Sequence, residues 1–110
     1  MPQLLFRGFN VEDICQISKP LVDELAEICD CGTDNFILEC LHSTSIFDGK
    51  VIETFPFIEV KWFERGLETR DLFSTSIAKY IQSLEIPEFE IAFSTFREDS
   101  YYVNGKRCFD

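Results

Sequence analysis

The sequence repeats its own order of elements. Pro2 opens a run of strand, glycine, amphipathic helix, strand and tight turn, and the same order begins again at Pro56. The two prolines stand 54 residues apart, and the glycines of the closing turns, Gly49 and Gly105, stand 56 apart. A strand, a crossing helix and a second strand make a right-handed β-α-β unit with parallel strands. Two such units side by side predict an α/β (α+β) fold, a four-stranded mixed sheet carrying both helices on one face. At 110 residues the chain suits one domain with a single core. The repeats 2–50 and 56–106 are therefore expected to be halves of one domain spanning 1–110.

The elements can be placed in turn. Residues 3–9 read as a short strand ended by Gly8. Asn10, with Asp13 three residues on, is placed to cap a helix. Ile14, Ile17, Leu21, Leu25 and Ile28 recur at helical spacing, while Glu12, Asp23, Glu24 and Glu27 take the other side. Pro20 is expected to kink this helix or mark a local irregularity, and Gly32 to end it. Residues 35–46 read as one strand closed by the turn Asp48-Gly49-Lys50. Residues 57–65 alternate, with Ile58, Val60 and Trp62 on one side and Glu59, Lys61, Phe63 and Arg65 on the other. A second helix is predicted over 68–84, its stripe formed by Leu72, Phe73, Ile77, Tyr80, Ile81 and Leu84. Pro87 stops it, residues 89–96 make a fourth strand, and Asn104-Gly105-Lys106 forms another turn.

Composition narrows the partners. The net charge is -10, which opposes nucleic acid and anionic membrane surfaces, since phosphates recruit Lys and Arg. No apolar run approaches the roughly 20 residues of a membrane span, and the first residues lack a signal peptide's layout. Of the five cysteines, only Cys29 and Cys31 are closely spaced, and that spacing is neither CxxC nor a zinc knuckle. His42 is the only histidine. The reading is reduced thiols in a cytoplasmic protein, with no metal and no cofactor.

By alternation, Leu4, Phe6, Ile58, Val60, Trp62, Phe89, Ile91 and Phe93 lie under the helices. The open face receives Gln3, Leu5, Arg7, Glu39, Leu41, Glu59, Lys61, Phe63, Glu90 and Ala92. Such a mixed face suits either solvent or another subunit. His42 and Ser43 are neighbours on a strand and point to opposite faces, a poor geometry for a proton relay, so a structural role is expected for His42. Cys40 shares a face with Phe36 and Leu38 and reads as core.

A chain that begins Met1-Pro2, runs directly into a strand and repeats β-α-β once resembles the tautomerase / macrophage migration inhibitory factor superfamily. It is similar in particular to a bacterial branch of unknown function. The resemblance covers the whole chain and includes the turn Phe47-Asp48-Gly49 and the restart at Pro56. It implies a homotrimer with active sites at subunit boundaries, where Pro2 is the catalytic base once Met1 is removed. A free N-terminal proline is a secondary amine fixed by its strand; α-amino groups titrate near 8, and burial lowers this toward neutrality. The resemblance further implies keto–enol tautomerisation of a small 2-keto or unsaturated carboxylic acid. Arg65, whose fork matches two carboxylate oxygens, and Lys61 are the candidates for holding that substrate. Each has a plainer reading: Arg65 as a surface partner of Glu64 or Glu68, Lys61 as a cross-strand partner beside Glu59. The loop 31–34 lacks the lysine that the inhibitory factor carries there. The fourth strand offers Glu90, Ala92 and Ser94 in place of its tyrosine and asparagine. These departures support an alternative reading, a non-catalytic homotrimeric binding or interaction module of the same fold. Tyr101 and Tyr102 are expected to pack against a neighbouring subunit.

Overall fold

A computed structural model describes residues 1–109. The chain forms β1 (Gln3–Arg7), α1 (Val11–Cys29), β2 (Ile37–Leu41), β3 (Ser45–Phe47), β4 (Lys50–Ile52), β5 (Phe57–Trp62), α2 (Leu67–Gln82), β6 (Glu90–Thr95), β7 (Tyr102–Val103) and β8 (Lys106–Arg107). The central sheet has the order β2-β1-β5-β6. Within each half the strands are parallel, β1 with β2 and β5 with β6, and the halves meet antiparallel through β1 and β5. This is the predicted mixed sheet with two helices. Among the described residues no helix is long and apolar enough to cross a membrane.

Leu4, Phe6, Ile58, Val60 and Trp62 are buried beneath the helices, as the period-2 pattern requires. They meet Ile14, Ile17, Leu21 and Leu25 of α1 and Phe73, Ile77 and Ile81 of α2. Each such side chain contributes roughly 1.5–3 kcal/mol by leaving water. Trp62 stands at the centre, its ring 4.9 Å from Phe73 and 5.1 Å from Phe93.

Four local expectations are corrected. The run 35–46 is not one strand: β2 ends at Leu41, and β3 leaves the sheet to pair with β4 in a separate hairpin. Its two-residue turn has positive φ at both Asp48 and Gly49, the backbone that lets a tight hairpin follow the strands' twist. Helix α1 ends at Asp30 rather than Gly32; Asp30 adopts the left-handed conformation, and its N–H and that of Cys31 bond back to Glu27 and Ala26. Asn10 precedes α1 but makes no side-chain cap hydrogen bond. Leu72 is 50% exposed, and Ser76 takes the inward place instead. Pro20 is accommodated within α1 at an exposed position. Gly8 is required where it stands: at φ +83 a Cβ would lie 2.7 Å from the Thr54 carbonyl oxygen.

Ser76 takes part in the polar tie between the helices. Its hydroxyl donates to the Glu24 carboxylate, which also accepts from Lys79 Nζ at 2.5 Å and Tyr80 OH at 3.4 Å. The Lys79 bond, then the Ser76 bond, hold the Glu24 carboxyl below its ordinary value against a burial that would raise it. With the folded-state value below the unfolded one, the stabilisation is present above the ordinary carboxylate range and is lost as pH falls through the folded value. Glu24→Gln is therefore expected to lower the melting temperature by a few degrees at neutral pH, with the gap to the parent closing as the buffer is acidified. Thermal unfolding followed by circular dichroism across that range checks this. A gap that stays constant would mean that the carboxylate charge does not join the helices.

Candidate functional site

Register places the predicted residues at one end of the sheet. Gln3 pairs with Lys61, and Lys61 with Ser94, so these three form a row on the open face next to the chain's start. Pro2 precedes that row. It is less than 2% exposed, and its carbonyl accepts from the Ile37 N–H at 3.1 Å, which ties it into the ladder with β2. A short side chain with fixed φ, held by a neighbouring strand and buried, leaves little freedom of position.

Lys61 and Arg65 occupy different places. Lys61 points to the open face, its Nζ 3.8 Å from Glu59 Oε1, while Glu59 Oε2 accepts from Ser94 Oγ at 3.1 Å. Arg65 lies beyond the end of β5, so strand alternation no longer sets its direction. Glu64 does not take its guanidinium. Glu64 Oε1 instead accepts the backbone N–H groups of Arg65 and Gly66, and its Oε2 binds Arg70 Nη1 at 2.9 Å, which organises the start of α2. Among the described residues no carboxylate pairs with Arg65. Burial pushes the Cys29 thiol up to about 11, while Arg65 and the chain's N-terminal ammonium pull the other way. Arg65 follows the end of β5, so it lies at the same end of the sheet as the start of β1.

An aromatic group that the sequence did not announce closes this end. Phe63 meets Tyr101 at 4.8 Å, Phe109 at 5.0 Å and Phe96 at 5.7 Å. Tyr101 thus packs within its own chain, whereas Tyr102 is exposed. The end carries two cations of different setting, a buried proline and an apolar wall.

His42, Ser43 and Thr44 lie in the loop after β2, at the opposite end of the sheet. All three are exposed, so His42 is not a core residue. Cys40 does pack against the core, and burial raises its thiol.

Residues 1–107 match a family described as Domain of unknown function (DUF1904). No curated protein matches the chain. Among solved structures, a Domain of unknown function (DUF1904) from Sebaldella termitidis ATCC 33386 is 33% identical with a TM-score of 0.87, covering 96% of this chain and 97% of that one. A fused 4-OT wild type asymmetric trimer superimposes with a TM-score of 0.78 at 11% identity, over 96% and 94% of the two chains. A macrophage migration inhibitory factor-like protein from Entamoeba histolytica does so at 0.68 and 17% identity, over 96% of each. At such low identities the last two likenesses are of fold, and the fold is that of the tautomerase and migration inhibitory factor proteins.

Proposed function

The chain belongs to the DUF1904 family, and on that premise we propose that it is a homotrimeric tautomerase whose base is the Pro2 amine, freed by removal of Met1. The observation that carries this reading is the burial of Pro2 at the start of β1, at the same sheet end as Lys61 and Arg65. Burial of this kind favours the neutral form of an amine. The neutral amine would take the enol O–H proton of a 2-keto acid's enol. The electron pair then re-forms the carbonyl while the ammonium returns a proton to carbon, so nothing is oxidised or reduced. Arg65, a cation at this end of the sheet without a carboxylate partner among the described residues, would hold the substrate carboxylate by two parallel hydrogen bonds. Lys61 would contribute through the open face. The test is the ketonisation of phenylenolpyruvate by processed protein. Pro2→Ala is expected to reduce the rate while its primary amine keeps part of it, and Arg65→Ala to raise KM if it only holds substrate or lower kcat if it also stabilises the enolate. No rate above buffer across several keto acids would overturn the reading.

The trimer rests on exposed apolar surface. Ile46, Phe47 and Val51 of the β3–β4 hairpin are 68%, 72% and 74% exposed, and Leu5 and Leu41 stand on the sheet's open side. One superimposed neighbour is itself described as a trimer. Light scattering on a sizing column should give about three times 12.8 kDa, the closed ring such surfaces favour. Paired Ile46→Lys and Val51→Lys substitutions should give a folded monomer. A parent that stays monomeric at all concentrations would rule out the shared-site arrangement.

One observation favours a second reading, the non-catalytic binding module of the same fold. A hollow on the strand-bearing side of the chain lies at the opposite end of the sheet from Pro2, by Arg7 and residues 43–45. A protein without tautomerase activity that still binds small molecules there would fit that reading.

A further inference from the structure

We propose that the hollow at the Arg7 end of the sheet is a binding site for a zwitterionic α-amino acid with an apolar side chain. The argument starts from register. Arg7 pairs with Phe57 and Phe57 with Glu90, so a cation, a ring and an anion stand in one row across three adjacent strands of the open face. Neighbouring strands are about 4.8 Å apart, which puts the two charged residues roughly 10 Å apart at the backbone, with the ring between them.

The two charges do not neutralise each other. The Arg7 guanidinium stands over the Phe57 ring, 4.7 Å from its centroid, and among the described residues neither Arg7 nor Glu90 belongs to an ion pair. In a chain with twenty acidic and ten basic residues, an arginine stacked on a ring rather than joined to a carboxylate is notable. Stacking fixes the guanidinium plane while leaving its N–H fork open to a planar carboxylate.

The surroundings match the rest of such a ligand. Arg7, Phe57 and Glu90 line a hollow of about 490 Å³ with Ser43, Thr44 and Phe55, a volume in the range of small-molecule sites. Hydroxyls supply hydrogen bonds without charge, and Phe55 and Phe57 supply apolar wall. The floor is firm. Gly8 presses β1 against the backbone at Thr54 and Phe55, and the Thr54 hydroxyl is held to Ser45 at 2.9 Å. A carboxylic acid alone would leave Glu90 facing a second negative charge, and an amine alone would leave Arg7 unused. A molecule carrying both groups satisfies both. This site lies at the opposite end of the open face from Pro2 and does not rest on the catalytic reading. Because the proposed trimer also uses that face, each titration is made on the parent and on the paired Ile46→Lys and Val51→Lys monomer, and binding to the monomer alone would overturn the proposal.

The probes are L-phenylalanine, 3-phenylpropanoate, which lacks the amine, and phenethylamine, which lacks the carboxylate. Each is titrated into the isotopically labelled full chain and followed by NMR. L-phenylalanine is expected to shift the amides of Arg7, Ser43, Thr44, Phe57 and Glu90, and to bind roughly 10- to 100-fold more tightly than either one-charge probe. Arg7→Met should abolish its binding. Glu90→Gln should equalise L-phenylalanine and 3-phenylpropanoate, with the folded spectrum retained in both variants. No shift at saturating L-phenylalanine, shifts scattered elsewhere, or 3-phenylpropanoate binding the parent as tightly would each overturn the proposal.

Discussion

Trp62→Ala is expected to cost about 3–5 kcal/mol of stability, the usual toll of truncating a buried aromatic, and to lower the melting temperature by on the order of 15 °C. Trp62 is fully buried, and its ring joins the two layers by touching Phe73 of α2 and Phe93 of β6. Its removal leaves a void that neither helix nor sheet can close without moving. Trp62→Phe should cost far less. It keeps most of the ring, and the buried indole Nε1 has no hydrogen-bond partner among the described residues, so nothing is lost with the N–H. Thermal unfolding of the three proteins decides the matter. If the alanine variant melts within a degree or two of the parent, the inward phase of β5 is wrong and Lys61 cannot face the open side.

That phase was readable because it is local. Ile58, Val60 and Trp62 alternate with Glu59 and Lys61, and a period of two admits one inward set. The repeat announced by Pro2 and Pro56 likewise carried the element order and, with it, the mixed sheet. What escaped was set by contacts between segments distant in sequence, or by choices among nearby residues of similar aptitude. Asp30 takes the left-handed position although Gly32 was available two residues on, because its N–H and that of Cys31 close onto the last turn of α1. β4 was not foreseen, since Lys50, Val51 and Ile52 become a strand only when Ile46 and Val51 pair across the turn. At the candidate site, Pro2, Lys61 and Arg65 were named from the sequence. The end of β5 at Trp62, which leaves residues 63–66 outside the strand so that alternation does not direct Arg65, was not legible. The Arg7–Phe57–Glu90 row depends wholly on register, and no single strand reveals it.

The second large effect concerns Pro2. With Met1 attached, its nitrogen is a tertiary amide with no basic lone pair. Removal of Met1 turns it into a secondary amine that can accept a proton. Loss of general-base catalysis commonly costs about 10²–10⁴-fold in rate, so protein with Met1 retained should be slower than processed protein by a factor in that range. Activity of the processed form should fall as pH is lowered, because the protonated amine cannot act as base. Pro2→Ala leaves a primary amine in the same place and should retain part of the rate, which separates loss of the amine from loss of the proline ring.

The central claim is therefore tested most directly by measuring phenylenolpyruvate ketonisation with two preparations of the same chain. One carries Met1 and the other does not, with intact mass establishing which is which. The Pro2 mechanism predicts that the Met1-free protein is faster by at least about a hundredfold. Equal rates from the two preparations would contradict it.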